Sequence, residues 1–288
     1  MLDFSNSKIL IVGDVMLDKY YFGKVDRISP EAPVPIVNIQ KEESRLGGAS
    51  NVANNIVSLG GHSLLCGVIG HDLFGKEIER ISRHKNIDTF LLKTSSPTIT
   101  KARIIGGKQQ IVRVDYEDKS ELNADNKKLF RDTISRILPE YDILVISDYG
   151  KGLISEDLCR YLIKLAHKYD KKVIIDPKGK NWEKYSGADI VTPNVKELSD
   201  IVGYTVPNTD RAIEKAAREA ITNNHLTALL VTRSDKGMSL IGPIPPIHIP
   251  THSEEVFDVS GAGDTVVATL GLCLAAGFEI SEAMRTAN

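Results

Sequence analysis

The residues best suited to chemistry stand together late in the chain, where two glycines and an alanine lie between Asp258 and Asp264. An apolar run over residues 266–276 follows and is long enough for a buried helix, so these small residues fall in the turn that opens it. A helix start offers unpaired backbone N–H groups and the positive end of the macrodipole, and glycine lets an anion approach them closely. The pattern therefore indicates an anion site beside a carboxylate base, as phosphoryl transfer to a hydroxyl needs. A capped helix with a first-turn Asp is the structural alternative.

Polar and charged residues also recur where the predicted strands end. Asp14 follows residues 8–12, Asp148 and Lys151 follow 143–146, Asp176 and Lys178 follow 173–175, and Asn194 and Glu197 follow 190–192. Strands alternating with helices form a parallel sheet covered on both faces, and ligands bind where the carboxyl ends of its strands meet. The recurrence favours one shared site at this rim, although Asn-x-x-Glu alone is more typical of a helix-capping pair.

A glycine pair, Gly47-Gly48, precedes a predicted helix over residues 52–59. Glycines at this point allow a ligand to approach closely, and Asn51 can hydrogen-bond a hydroxyl. The structural interpretation is a flexible helix entry with Ser50 as the N-cap. The residues alone leave both interpretations open.

Two stretches fall outside the alternating pattern of helices and strands. Residues 15–45 carry alternating apolar residues and three prolines, and residues 97–117 form a predicted hairpin around a glycine turn. Together they predict a small second sheet, a lid. Lys101, Arg103 and Arg113 on the hairpin are either solvated edge charges or contacts for a phosphorylated substrate.

The run Gly70–Lys76 fits the first seven positions of a P-loop after a strand. Glu77 follows where Mg²⁺ chemistry needs Ser or Thr, and Asp72 and Glu77 would both repel phosphate. We therefore reject this stretch as a nucleotide site.

The composition narrows the class of protein. The chain has 288 residues, 42% hydrophobic and 26% charged, with a net charge of −2, so no basic face indicates nucleic acid. No apolar segment reaches the roughly 18 residues of a membrane span. Three cysteines far apart in apolar contexts indicate free thiols in a reducing compartment, and the first residues lack a signal-peptide pattern. We expect a cytoplasmic protein without nucleic-acid or membrane partners.

The motifs at residues 47–53 and 258–264 resemble the paired motifs of the ribokinase-like (PfkB) carbohydrate kinases, with Val259-Ser260 in place of the usual Thr. Four further motifs, at residues 13–18, 27–35, 147–152 and 176–179, are similar to those of the heptose 7-phosphate kinases within that family. The resemblance covers nearly the whole chain. It implies an α/β fold, a ribokinase-like parallel-sheet α/β/α sandwich with a small β-sheet lid, as one domain over residues 1–288.

The resemblance also implies roles for single residues. Asp264 matches the catalytic base, and Gly261, Ala262 and Gly263 match the anion hole. The positions matched to ATP and its Mg²⁺ are Asn194, Glu197 (to Mg²⁺ through water), Lys178, Thr232 and Ser260. The positions matched to the sugar and its phosphate are Asp14, Gly47, Gly48, Asn51, Arg103, Arg113, Asp148 and Lys151.

The implied reaction transfers the γ-phosphoryl group of ATP to the anomeric hydroxyl of a phosphorylated heptose, with Mg²⁺ and optionally a monovalent cation such as K⁺. A homodimer through the lid is implied too. Family members continue past a position like Asn288, so the resemblance also implies that the C-terminal end of the domain is missing. Two alternatives stay open: a kinase of another phosphorylated sugar, and a catalytically impaired sugar-binding fragment.

Overall fold

The computed structural model describes residues 2–251 and 261–288. The strands are β1 (Lys8–Gly13), β2 (Val15–Ile28), β3 (Pro35–Gly48), β4 (His62–Gly70), β5 (Asp88–Thr94), β6 (Thr100–Gly106), β7 (Gln109–Tyr116), β8 (Ile143–Ser147), β9 (Lys172–Asp176), β10 (Ile190–Val191), β11 (Ala228–Thr232), β12 (Met238–Ile241) and β13 (Ile247–Ile249). The helices are α1 (Ala49–Ser58), α2 (Leu73–His84), α3 (Ala124–Ile137), α4 (Glu156–Lys168), α5 (Val195–Val202), α6 (Asp210–Asn224), α7 (Ala262–Ala275) and α8 (Ile280–Ala287).

The large sheet has the strand order β13-β12-β11-β10-β9-β8-β1-β4-β5. Strands β5 to β11 of this order pair in parallel, as the alternating pattern predicts. Strands β10, β9, β8 and β1 are neighbours, so the loops that follow them meet at one rim.

The prediction of a parallel sheet is incomplete at one edge, where β12 and β13 run antiparallel. Only residues 233–237 separate β11 from β12, which is too short for the helical crossover that a parallel neighbour requires. The sheet is therefore mixed.

Period-two alternation builds a core on each face of the sheet. Ile9 and Ile11 of β1 belong to the core beneath α1, α7 and α8, whereas Leu10 and Val12 belong to the core beneath α3, α4 and α6. Successive side chains of a strand point to opposite faces, so a continuous apolar run fills both layers. Helix α7 is buried along most of its length, as the apolar run over residues 266–276 predicts.

The second sheet, here called the lid, has the order β3-β2-β6-β7. Strands β6 and β7 form the predicted hairpin, and β2 pairs with β3 antiparallel and with β6 in parallel. On one lid face, Asp18 lies opposite Lys101, and Tyr20 lies opposite Arg103. This confirms the predicted small second sheet and aligns charges from two distant parts of the sequence. No helix within the described residues is long and apolar enough to cross a membrane.

Candidate active site

Asp264 lies in the first turn of α7, where the sequence predicts it. Gly261 is the N-cap with φ 82°, a left-handed conformation that favours glycine. A Cβ at this position would also lie 2.8 Å from Nδ2 of Asn51, so a side chain would disturb that amide. Ala262 and Gly263 form the first helical residues, and Asp264 is 5% exposed. The other residue predicted in this turn, Ser260, lies outside the described residues.

The carboxylate of Asp264 receives one hydrogen bond on each oxygen. Asn51 of α1 donates from Nδ2 to Oδ2 over 2.7 Å, and the Tyr149 hydroxyl donates to Oδ1 over 2.8 Å. Burial raises the pKa of Asp264, the two hydrogen bonds oppose this, and the charges of Asp18 and Lys101 act in opposite directions. A buried carboxylate with a raised pKa is better matched to accepting a proton near neutral pH.

The lid presents an ordered set of charges to Asp264. Asp18 forms an ion pair of 2.5 Å with Nη1 of Arg103, and the Arg103 guanidinium lies 5.1 Å from the centre of the Tyr20 ring. The Lys101 ammonium lies 5.8 Å from the centre of the Tyr149 ring. Burial lowers the pKa of Lys101, the charge of Asp18 opposes this, and the neighbouring cations lower the pKa further. A partly buried cation beside a second cation is a favourable place for an anion.

These groups line one cleft of about 560 Å³ between the lid and the large sheet. Six of the predicted site residues line it: Gly47, Gly48, Asn51, Arg103, Gly261 and Asp264. The size suits a sugar phosphate, since small-molecule sites are typically about 300–1,000 Å³.

The glycine pair lies at the end of β3, and α1 begins at Ala49, earlier than predicted. The interpretation of Ser50 as N-cap is wrong: Gly48 holds that position, and Ser50 donates to the carbonyl of Gly47 over 2.6 Å. A Cβ at Gly47 would lie 2.3 Å from Oδ2 of Asp18, and one at Gly48 would lie 2.6 Å from the carbonyl oxygen of Asp14. Gly48 is therefore required by the backbone that lies against it, whereas a side chain at Gly47 would displace the Asp18 carboxylate.

Two predicted substrate contacts are buried beneath the rim. Asp14 is 2% exposed, and its Oδ2 accepts hydrogen bonds from the backbone N–H groups of Tyr149 and Lys151. Asp148 accepts from the hydroxyl of Tyr185 over 2.6 Å and pairs with Lys184. Neither lines the cleft that contains Asp264. Their predicted contacts with the sugar stay untested, and their observed contacts hold the loop after β8.

Two predicted cations also lie away from that cleft. Lys151 forms an ion pair with Glu117 and lines a neighbouring cavity of about 620 Å³. Arg113 is exposed and pairs with Asp115 over 2.8 Å. Arg113 does lie directly opposite Arg103 in the lid register. The structure therefore brings Arg103 to Asp264 and leaves Arg113 one strand further out.

The predicted nucleotide residues gather at the carboxyl ends of β9, β10 and β11. Asn194 and Glu197 form a complete capping box, with bonds of 2.9 and 3.1 Å, so the structural interpretation of this pair is confirmed. Lys178 donates from Nζ to Oε1 of Glu197 over 3.0 Å, and Thr232 lies beside Asn194 in a parallel bridge. The nucleotide role of these residues stays a prediction.

The acidic groups beside these residues fit Mg²⁺ held together with phosphate. Burial raises the pKa of Asp176, and the charges of Asp264 and Glu197 raise it further, so a divalent cation would relieve a repulsion already present. Among residues 2–251 and 261–288, no group of three or more His, Cys, Asp or Glu side chains could hold a metal ion. Mg²⁺ commonly binds through one or two carboxylates, substrate phosphates and water, which this arrangement allows.

The rejected P-loop stretch has a structural role. Asp72 caps α2, accepting from the N–H of Gly75 over 2.7 Å and from the N–H of Thr98 over 2.7 Å. Its carboxylate therefore takes the backbone donor that a P-loop would offer to phosphate. The structure agrees with the rejection.

Sequence reasoning missed several residues of the cleft wall. Asp18 is the fourth residue of β2, and the period-two pattern of that strand puts it on one face with Tyr20. Tyr149 belongs to the motif at residues 147–152, in which only the charged residues Asp148 and Lys151 are predicted to contact a ligand. Its contact with Asp264 joins residues 115 positions apart and has no local signal.

A mixed α/β sheet with a β lid, and a buried carboxylate at a helix start facing lid cations, define a carbohydrate kinase of the ribokinase-like class. The chain belongs to the pfkB family of carbohydrate kinases, which it matches over residues 6–288. It is 45% identical over 288 residues to the bifunctional protein HldE of Haemophilus influenzae strain PittEE, covering 99% of this chain and 59% of that protein. This chain thus spans less than two thirds of that relative.

A second relative is nearer in length. The D-beta-D-heptose 7-phosphate kinase of Bordetella bronchiseptica is 44% identical over 285 residues, covering 99% of this chain and 89% of that protein. Among solved structures, the tetrameric inhibited form of phosphofructokinase-2 from Escherichia coli has a TM-score of 0.79 at 20% identity, covering 97% of this chain and 90% of that one. Arabidopsis thaliana ribokinase complexed with ribose and ATP has a TM-score of 0.74 at 19% identity, covering 98% of this chain and 90% of that one. These structures support the ribokinase-like fold.

Proposed function

We propose that this chain phosphorylates the anomeric hydroxyl of D-glycero-β-D-manno-heptose 7-phosphate with ATP, giving the 1,7-bisphosphate. The observation that carries the proposal is Asp264, buried at the start of α7 and facing Lys101 and Arg103 across one cleft. The Bordetella relative, 44% identical over almost all of this chain, supports heptose 7-phosphate as the acceptor. The same product would serve ADP-heptose formation for lipopolysaccharide.

Asp264 performs the proton transfer in the proposed mechanism. Its carboxylate accepts the proton of the anomeric hydroxyl while that oxygen forms a bond to the γ-phosphorus and the bond to the ADP oxygen breaks. The backbone N–H groups at the start of α7, from Gly261 to Gly263, stabilise the negative charge on the transferred group. ATP with Mg²⁺ supplies the phosphoryl group and charge neutralisation when bound, beside Asn194, Glu197, Lys178 and Thr232. K⁺ stays a family expectation with no described residue assigned to it.

Lys101 and Arg103 are proposed to hold the 7-phosphate. Both line the cleft, and Arg103 is oriented by Asp18 and by the Tyr20 ring. Asn51 lines the same cleft, where its amide can meet a sugar hydroxyl as well as the carboxylate of Asp264. Cations select a phosphorylated substrate but carry little stereochemical information, so the sugar itself needs a direct assay.

The test is a panel of phosphorylated heptoses and hexoses, read by ADP production with Mg²⁺ and ATP. The proposal expects the highest kcat/KM for the β-anomer of the heptose 7-phosphate and little turnover of the unphosphorylated heptose. A preference for a hexose phosphate would replace this substrate by the alternative kinase activity. No sugar-dependent ADP release with any member would leave the sugar-binding alternative.

We also propose that the chain forms a homodimer through the lid, in the cytoplasm. Several lid side chains are apolar and exposed, among them Ile28 at 62% and Val112 at 44%, and the three cysteines are free and buried, which suits a reducing compartment. Ile28→Asp should convert a dimer into a monomer by light scattering. Leu129→Asp on α3, also exposed, is the control and should not; equal masses for wild type and Ile28→Asp would exclude this interface.

A further inference from the structure

The loop after β8 brings the hydroxyl of Tyr149 to the base. That hydroxyl donates to Oδ1 of Asp264 over 2.8 Å, and the ring forms part of the cleft wall. Burial and the charge of Asp264 raise the pKa of Tyr149, so the hydroxyl stays protonated and remains a donor throughout the working pH range. A permanent donor at this position stabilises the ionised form of the carboxylate.

The backbone of this loop is anchored from below. Oδ2 of Asp14 accepts from the N–H of Tyr149 over 2.8 Å and from the N–H of Lys151 over 3.0 Å. Gly152 has φ 106°, and a Cβ there would lie 2.8 Å from the carbonyl oxygen of Lys119, so the end of this loop passes too close to residue 119 for a side chain. Asp14 therefore holds the backbone from which the Tyr149 side chain projects.

The two donors on Asp264 come from two different parts of the fold. Asn51 reaches Oδ2 from α1, and Tyr149 reaches Oδ1 from the β8 loop. Together they fix the rotation of the carboxylate about its Cβ–Cγ bond, while each oxygen keeps a further lone pair for a sugar hydroxyl. A base held in this way needs no reorientation before it accepts a proton.

We propose that Tyr149 is a positioning residue for Asp264, and that Asp14 acts through Tyr149 by holding the β8 loop. The proposal rests on the proposed function, in which Asp264 is the base. It gives the buried Asp14 a role that differs from the sugar contact predicted from the sequence.

The first experiment is Tyr149→Phe. Because a hydrogen bond to a charged group is lost, kcat should fall by roughly 10- to 100-fold, with the KM values for sugar and ATP changing much less. The ionised base loses a donor, so its pKa rises and the acid limb of kcat/KM moves to higher pH. The other charged groups facing Asp264, namely Asp18, Lys101 and Asp176, are unchanged by this substitution.

Tyr204→Phe is the matched control. Its hydroxyl also donates to a carboxylate, Oε2 of Glu219 over 3.1 Å, but it is exposed and lies on no wall of the cleft. Its kcat and the acid limb of its pH profile of kcat/KM should equal those of the wild type. If Tyr149→Phe behaves like Tyr204→Phe, the proposal is wrong.

A second measurement does not need turnover. The pKa of Asp264 can be followed by ¹³C NMR of the carboxyl carbon in the free protein, with Asp264→Asn to assign the signal. The pKa should be higher in Tyr149→Phe than in the wild type. If the wild type phosphorylates no sugar, the proposed function fails, while this shift still supports the contact; an unchanged pKa rejects the positioning role whatever the activity.

Asp14→Asn tests the second half of the proposal without removing the hydroxyl. The amide keeps an acceptor oxygen and the size of the side chain, but not the negative charge that holds two N–H groups. We expect a loss of kcat smaller than that of Tyr149→Phe, with similar KM values. A wild-type kcat in Asp14→Asn would exclude Asp14 from the arrangement.

Discussion

The Asp18 carboxylate occupies the space that a side chain at Gly47 would need: a Cβ on Gly47 would lie 2.3 Å from Oδ2 of Asp18. Gly47→Ala should therefore displace the Asp18 carboxylate and break its ion pair with Arg103. We expect the KM for the sugar phosphate to rise by about 10-fold or more, as when a charge-assisted hydrogen bond is lost. Steady-state kinetics with the sugar phosphate as the varied substrate measure this KM.

Gly271→Ala is the control for that substitution. A Cβ at Gly271 would meet Ile174, Val145 and Ile9 only at 3.8 to 3.9 Å, which is ordinary contact. Since glycine in a helix interior costs about 1 kcal/mol relative to alanine, this variant should be slightly more stable in urea unfolding, with normal kinetics. A loss of sugar affinity in both variants would contradict the steric argument at Gly47.

Asp264→Asn removes the proposed base with little change of shape. General-base catalysis typically contributes about 10²–10⁴-fold, so kcat should fall by roughly that factor, with ATP binding little changed. Rapid-quench kinetics and ATP titration separate the two effects. Lys76→Ala is the matched comparison: a P-loop enzyme would lose its activity in this variant, whereas we expect little change. A nearly normal kcat in Asp264→Asn would show that Asp264 is not the base.

Lys101→Ala and Arg103→Ala should raise the KM for the phosphorylated sugar by roughly 10- to 100-fold each, the scale of a hydrogen bond to a charged group. The cation that meets the phosphate is lost while Asp264 stays in place. Arg113→Ala is the control, since Arg113 is exposed and pairs with Asp115. Because the charge of Lys101 also lowers the pKa of Asp264, turnover of the unphosphorylated sugar should fall too, but much less. An equal loss with both sugars would argue against a phosphate subsite.

Asp14 should make folding stability depend on pH. Burial and the charge of Asp148 raise the pKa of Asp14 from 3.8 to about 6. The native state therefore binds this proton more tightly than the unfolded chain, and stability present below pH 4 is lost as the pH rises through 6. Relative to Asp14→Asn, the wild type should lose up to about 3 kcal/mol over this window.

Urea unfolding at several pH values measures this difference. Asp118→Asn provides the opposite sign, because hydrogen bonds from Ser120 and Ser96 lower the pKa of Asp118. For that carboxylate, stability is lost as the pH falls. A stability difference between the wild type and Asp14→Asn that does not change with pH would show that Asp14 titrates normally.

The sequence predicts what repeats locally and misses what meets at a distance. Alternating apolar strands and helices indicate the sheet, and the turn before Asp264 indicates a helix start with a carboxylate. The antiparallel edge could be found only by noticing that residues 233–237 leave no room for a crossover. The charges of Arg113, Asp148 and Lys151 indicate site residues, but remote residues, Lys184 and Glu117, bind Asp148 and Lys151, and Asp115 of the same strand binds Arg113. Tyr149 carries no charge, and nothing near it in the sequence indicates its contact with Asp264.

The two hydrogen bonds on Asp264 also imply that the catalytic base is completed late in folding. They join Asp264 to residues 213 and 115 positions earlier, so the base is complete only when three remote parts of the chain have come together. Contacts of such long separation form slowly, because the closure of large loops precedes any gain from them. During refolding, helical ellipticity should therefore return before sugar phosphorylation does, and enzyme activity would report on the last stage of assembly.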